Sequence, residues 1–351
     1  MKKSLSSRLS SSALVSGAAL AACAGAVVAA RRMKSRAVAG KVVVITGGSR
    51  GLGLELAREF GRHGASLVLT ARDDKELEEA KLRLLAEAVT KSAETVLTVV
   101  CDLTEPEDAQ KLIEKTIQQF GRLDVLINNA GVIHVGPIEK QSLQMYRDAM
   151  NSNFFGMLHT TYAALPHLIK QGCGAVVNIA SVGGKIPVPH LAPYVASKFA
   201  AVGFSETLHA ELRSKGIRVT TVNPGLMRTG SFPNAIAVGQ TEQEYSWFSL
   251  SASMPGLAHS VKYAARKIFR AVILGRAEIE VGMDAYLAAR MHGLAPSGTA
   301  WLGSLAERVI LPEASGSEVP AKGTELKPPR PALWKWWSSK LARRSNQPAA
   351  G

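Results

Sequence analysis

From Lys41 onward, short runs of β-branched and apolar residues alternate with longer stretches whose apolar positions recur every three or four residues. Val42-Val43-Val44-Ile45 opens the series without a polar interruption, as expected of a strand buried on both faces. Comparable runs follow at Ser66–Thr70, Val96–Val100, Val125–Ile127, Ala175–Ile179, Val219–Val222 and Ala277–Val281. Between them the spacing predicts helices over Leu52–His63, Lys75–Lys91, Pro106–Phe120, Tyr194–Ser214 and His259–Leu274. A single long helix is predicted over Leu143–Gln171, with Pro166 near its end. Strand and helix alternate at lengths that suit right-handed crossovers. The pattern therefore predicts an α/β fold: a doubly wound parallel sheet of about seven strands with helices on both faces.

Three regions break this rhythm. Residues 230–257 carry Phe232, Pro233, Trp247, Phe248 and Met254 with few charges, which suits either a lid over an apolar ligand or a packed surface excursion. Tyr286–Leu311 is apolar with helical spacing. Beyond Pro312, Pro, Gly, Ser and charged residues predict disorder. Within that tail, Trp334-Lys335-Trp336-Trp337 with Lys340, Arg343 and Arg344 suits a membrane interface. At the other end, Ala13–Ala30 is an uncharged 18-residue stretch, about 27 Å long as a helix. A membrane anchor, a cleaved signal peptide and an organellar transit peptide all remain open for it. The resulting plan is a basic N-terminal segment (1–40) holding the apolar stretch 13–30, an α/β domain (41–283), a helical extension (284–312) and a basic tail (313–351).

Net charge is +14, but most of it lies in the ends. Residues 1–40 hold seven Lys or Arg and no acid; residues 313–351 hold seven against three acids. The body is close to neutral, which argues against a nucleic-acid function and points the basic ends toward a membrane surface or targeting. Arg31, Arg32, Lys34 and Arg36 follow the apolar stretch, a flank that favours a main domain on the cytoplasmic side; cytoplasmic and organellar locations are the alternatives. The three cysteines, Cys23, Cys101 and Cys173, form no disulfide framework and no metal-ligand spacing, so no metal site is expected.

Thr46-Gly47-Gly48-Ser49-Arg50-Gly51-Leu52-Gly53 lies where the first strand meets the first helix. Glycines there allow a tight turn and close approach of the backbone to a pyrophosphate, and the helix N-terminus offers amide donors. The second strand ends at Arg72 rather than at a carboxylate. With Arg50 it supplies two guanidinium groups suited to a 2′-phosphate, so NADP(H) is favoured over NAD(H). Tyr194 and Lys198 are four residues apart on one predicted helix, and so share a face. A cation fixed beside a phenol favours the phenolate and lowers its pKa, which suits proton exchange with a carbonyl/alcohol pair.

These residues, in this order, resemble the short-chain dehydrogenase/reductase family in its single-domain branch, over about Lys41–Val281. The resemblance implies a Rossmann-like fold and an NAD(P)-dependent oxidoreductase. It implies a cofactor turn at Thr46, Gly47, Ser49, Arg50, Gly51, Leu52 and Gly53. It places Asp102 and Leu103 near adenine, Asn129, Ala130 and Gly131 along the cofactor cleft, and Pro224, Gly225 and Thr229 around the nicotinamide. It implies a catalytic tetrad of Asn153, Ser181, Tyr194 and Lys198, with Ser181 thirteen residues before Tyr194. In that set Ser181 orients the carbonyl, Tyr194 is the acid/base, Lys198 holds the ribose and lowers the Tyr194 pKa, and Asn153 positions a water. Homo-oligomers are implied by the same analogy. His190 is read as a solvated loop residue.

The combined reading is NADP(H)-dependent interconversion of a carbonyl and an alcohol on an apolar small molecule: a lipid, a steroid-like or an aromatic compound. An acyl-thioester ketoreductase is the alternative within enzymes. An NADP-binding, membrane-tethered scaffold or redox sensor without turnover is the alternative of another class.

Overall fold

The computed structural model describes residues 38–326, apart from 91, 230, 231, 253 and 255–257. The apolar stretch 13–30 and the Trp-rich segment 334–337 lie outside the described residues. From Gly40 onward the architecture is built on a seven-stranded parallel sheet. In sheet order its strands are β11 (Glu278–Val281), β7 (Ile217–Pro224), β6 (Gly174–Ile179), β4 (Val125–Asn128), β1 (Val42–Thr46), β2 (Ser66–Ala71) and β3 (Val96–Val100); the short β5 (His134–Val135), β8 (Met227–Arg228) and β10 (His259–Ser260) lie outside it. β1 and β4 are buried along their whole length, as their uninterrupted apolar runs predict. Strand order reverses between β1 and β4, which opens a crevice at their carboxyl ends.

Helices cover both faces. On one face α1 (Gly51–Arg62) packs against α8 (Val261–Leu274), with Phe60 and Phe269 edge to face at 5.0 Å. The other face buries Val44, Val68, Leu126, Val176 and Val219 under Leu112, Leu168 and Leu208. A chain of buried polar groups also ties three strands and one helix together. Asn128 Nδ2 donates to Asn178 Oδ1 at 2.9 Å, Asn178 Nδ2 to Ser205 Oγ at 3.0 Å, and Thr221 Oγ1 to Ser205 Oγ at 2.7 Å. Every member is paired, so the chain fixes strand register at little desolvation cost.

Several elements differ from expectation or refine it. The helix expected over Leu143–Gln171 is α4 (Leu143–Met150) and α5 (Gly156–Gln171) joined by a π turn at Asn151–Phe155; α5 runs through Pro166. The described residues of 230–257 pack as regular structure, as a packed surface excursion would. They contain β9 (Ile236–Gly239) and α7 (Thr241–Ser251), whose Tyr245 and Phe248 are buried against Phe232 and Leu191. The disorder expected from residue 313 does not begin there: β12 (Ser317–Lys322) pairs antiparallel with β9. Pro320 falls where that register shifts, at the edge of a three-stranded sheet, the position a strand proline tolerates. The apolar stretch Tyr286–Leu311 is two helices, α9 (Met283–Leu294) and α10 (Pro296–Ile310), broken at Pro296.

Candidate active site

The crevice at the carboxyl ends of the strands is one cavity of about 930 Å³, running from Arg50 and Arg72 at one end to Trp247 and Phe248 at the other. All the site residues read from the sequence line it except Thr46 and Gly53. Those two build its floor. Thr46 Oγ1 accepts from the Asn129 and Ala130 amides at 2.8 and 3.0 Å, clamping β1 to β4 at the switch point. A Cβ at Gly53 would lie 2.0 Å from the Gly47 carbonyl oxygen, so only glycine lets the turn fold this tightly onto α1. Gly47 itself has φ +60°, and a Cβ there would crowd Ala130. At the N-terminus of α1 no side chain caps the first-turn amides and no acidic residue stands in that turn. Open donors, positive dipole end and a glycine cradle together fit a pyrophosphate.

Further along, Asp102 Oδ1 accepts from Thr104 N at 3.1 Å and Thr104 Oγ1 at 2.9 Å, which fixes its carboxylate at the cleft wall beside Leu103. Arg72 is exposed at the rim. Arg50 is engaged: its Nη1 lies 2.6 Å from Glu76 Oε1. Glu76 was not singled out by sequence, because a charged residue on an amphipathic helix reads as a solvated one.

Asn153 sits inside the π turn, fully buried. Its Oδ1 accepts from Val132 N at 2.8 Å, and its Nδ2 donates to Val132 O at 3.0 Å and Ser197 Oγ at 2.9 Å. The widened turn thus presents the Asn153 side chain to the strand-four loop, a use typical of π turns at functional sites. Gly131 makes room for it: a Cβ there would lie 2.5 Å from Asn153 Oδ1 and 3.7 Å from Lys198 Nζ.

Ser181 follows β6 and accepts from Gly183 N at 3.0 Å. It also hydrogen-bonds the Tyr194 phenol. Tyr194 and Lys198 share one face of α6 (Ala192–Leu212), as their spacing predicts. Lys198 Nζ lies 5.7 Å from the Tyr194 ring centroid and donates to Ile179 O at 3.0 Å. The expected electrostatics differ, however. Burial holds the Tyr194 phenol above its usual pKa, partly offset by the Ser181 bond, because the phenolate loses solvation. Burial pushes the Lys198 ammonium down to about 8.

The far end of the cleft is apolar. Leu191, Phe232, Tyr245 and Phe248 form a buried cluster with Val188 and Trp247 against Tyr194. Lys322 of β12 also reaches this end, although the sequence assigned that segment to a disordered tail. His190, read as solvated, is buried with Nδ1 2.8 Å from Glu244 Oε1. Its long-range partner leaves no local sequence signal. Among the described residues no helix is long and apolar enough to cross a membrane.

Comparison with known proteins agrees with this geometry. The family model described as short chain dehydrogenase matches residues 41–237. The chain is 37% identical over 246 residues to 11-beta-hydroxysteroid dehydrogenase A of Sesamum indicum, covering 69% of this chain and 68% of that protein. It is 39% identical over 197 residues to dehydrogenase/reductase SDR family member 7B of Danio rerio, covering 56% and 64%. The chain thus spans about two thirds of the length of these curated relatives. A short chain dehydrogenase/reductase from Burkholderia phymatum, solved in complex with NAD, superposes with a TM-score of 0.68 at 25% identity, covering 74% of this chain and 95% of that one.

Proposed function

The chain belongs to the short-chain dehydrogenase family and is an oxidoreductase; from that premise we propose that it interconverts a carbonyl and an alcohol on an apolar small molecule, with NADP(H) as cofactor and Tyr194 as acid/base. The observation that carries this reading is the meeting of Ser181, Tyr194 and Lys198 where the glycine-cradled cleft runs into the apolar cluster around Phe248. A bound nicotinamide supplies or accepts the hydride. The residues of this chain do the rest. Ser181 donates to the carbonyl oxygen and orients it toward Tyr194. The phenol of Tyr194 gives that oxygen its proton on reduction and takes it back on oxidation. Its burial favours the protonated form, ready to donate. Lys198, as ammonium, stabilises the phenolate left behind and holds ribose hydroxyls. Gly47, Gly51 and the α1 amides would hold the pyrophosphate, Asp102 the adenine, and Thr229 the carboxamide.

The apolar end of the cleft, roomy and lined by Trp247, Phe248 and Leu191, supports a bulky apolar substrate. A relative named as a hydroxysteroid dehydrogenase supports a steroid-like one in particular. Arg72 and Arg50 support the NADP(H) preference. The test is NADPH consumption by the purified full-length protein against cyclic, polycyclic and aromatic ketones. No carbonyl-dependent consumption with any of them would overturn the reading. Membrane attachment through residues 13–30 belongs to the same proposal. Deleting residues 1–36 releases the protein from membranes if it holds, and leaves its distribution unchanged if it does not.

A further inference from the structure

The preference for NADP(H) draws on two cations, and the cleft already contains an anion beside one of them. Arg50 Nη1 lies 2.6 Å from Glu76 Oε1, and Ser49 Oγ donates to Glu76 Oε2 at 3.1 Å. All three side chains line the same end of the cleft as Arg72. Glu76 stands in the first turn of α2 (Asp74–Ala86), and its amide donates to the N-cap carboxylate of Asp73 at 3.0 Å. Its place is thus fixed by the start of the helix, not by a wandering side chain on a loop. The carboxylate of Glu76 takes up one arm of the guanidinium that a 2′-phosphate needs.

We infer that Glu76 is the specificity-determining residue of the cofactor site: it competes with a 2′-phosphate for Arg50, so that the protein accepts NAD(H) alongside NADP(H). This rests on the nicotinamide reading of the cleft given above. A phosphate monoester brings a charge of about −1.5 to −2 at neutral pH. To bind Arg50 it must displace Glu76 or share the guanidinium with it, and either way two anions lie within a few ångströms. At a half-exposed site such a repulsion is worth about tenfold in affinity. NAD(H) brings no phosphate there, and its ribose hydroxyl can donate to a carboxylate. Arg72 and Arg50 pull toward the phosphate while Glu76 pulls back, and the balance sets the preference.

The experiment is titration of the full-length protein with NADPH and with NADH, followed by nucleotide fluorescence, in the wild type and in Glu76→Gln. The ratio of the NADH to the NADPH dissociation constant should rise about tenfold in Glu76→Gln. Glu76→Ala, read on the same ratio, serves if the first variant fails to fold. In an Arg50→Gln background the same change at Glu76 should move the ratio less, since the competition acts through Arg50. A ratio that stays put or falls in both Glu76 variants overturns the inference while leaving the nicotinamide site intact. If neither nucleotide binds the wild type, the nicotinamide reading itself falls, and this inference with it.

Discussion

Glu244 Oε1 lies 2.8 Å from His190 Nδ1, and its other oxygen accepts from Trp247 Nε1 at 2.7 Å, with the Glu244 side chain fully buried. One carboxylate thereby joins the loop before Tyr194 to a side chain that lines the apolar end of the cleft. His190 holds a left-handed backbone at φ +61°, a conformation that a non-glycine residue keeps only where its surroundings fix it. His190 Nδ1 and Trp247 Nε1 thus share the two oxygens of one buried carboxylate.

Glu244→Gln tests that junction. A carboxamide cannot accept from both His190 and Trp247, so one buried donor loses its partner, at a cost of about 1–3 kcal/mol. Thermal unfolding should show a clear drop in Tm. Steady-state kinetics with a polycyclic ketone should show KM raised and kcat little changed, because Trp247 shapes the cleft without touching the reacting atoms. A variant with wild-type Tm and KM would mean that the junction positions nothing.

Tyr194→Phe removes the phenol while keeping the ring that packs beside Gly183 and Val188. Loss of a positioned acid costs roughly 10²–10⁴-fold in turnover. NADPH affinity should change little, since the glycine turn and the α1 amides are untouched. Turnover and nucleotide titration on the same preparation separate the two. Retained turnover would remove Tyr194 as the acid/base.

The central sheet and most of the site were legible because both are written in local patterns. Uninterrupted apolar runs such as Val42–Ile45 mark buried strands, and Gly47, Gly51 and Gly53 mark a turn that only glycine permits. What escaped depends on contacts distant in sequence or on local geometry with no compositional signal. The π turn around Asn153 preserves helical spacing to the eye. β12 has a composition that predicts disorder, and is ordered only by pairing with β9 some eighty residues earlier. Glu76 and Glu244 each look like solvated charges on a helix until the fold brings Arg50 and His190 to them. The direction of the Tyr194 shift also needed the structure, since spacing places a lysine nearby but says nothing of burial.

Arg72→Asp inverts the charge at the end of β2, where a carboxylate would instead accept from a ribose hydroxyl. NADPH binding should weaken by about 10–100-fold, the range for a charge-assisted hydrogen bond, with NADH spared or improved. Comparative titration with the two nucleotides measures this directly. An unchanged preference would exclude Arg72 from phosphate recognition and leave the whole preference to Arg50 and its contest with Glu76.

Lys198 is almost completely buried, donates to Ile179 O, and has its pKa pushed down from 10.5 to about 8. In the unfolded chain it titrates near its ordinary value, so between about 8 and 10.5 the unfolded state holds more protons than the folded one. Stability attributable to this residue therefore rises with pH across that window, and the cost of burying the ammonium is fully felt below it. That cost is at most about 3 kcal/mol. Lys198→Met should raise Tm by a few degrees at neutral pH, lose that advantage as pH climbs toward 10.5, and abolish turnover. The wild type should lose carbonyl reduction as pH rises through about 8, because the ammonium that stabilises the Tyr194 phenolate is then neutralised. Paired melting curves and pH–rate profiles check both signs. A fall in Tm at neutral pH would mean that the ammonium stabilises the fold, and that its place in the cleft carries no cost for function.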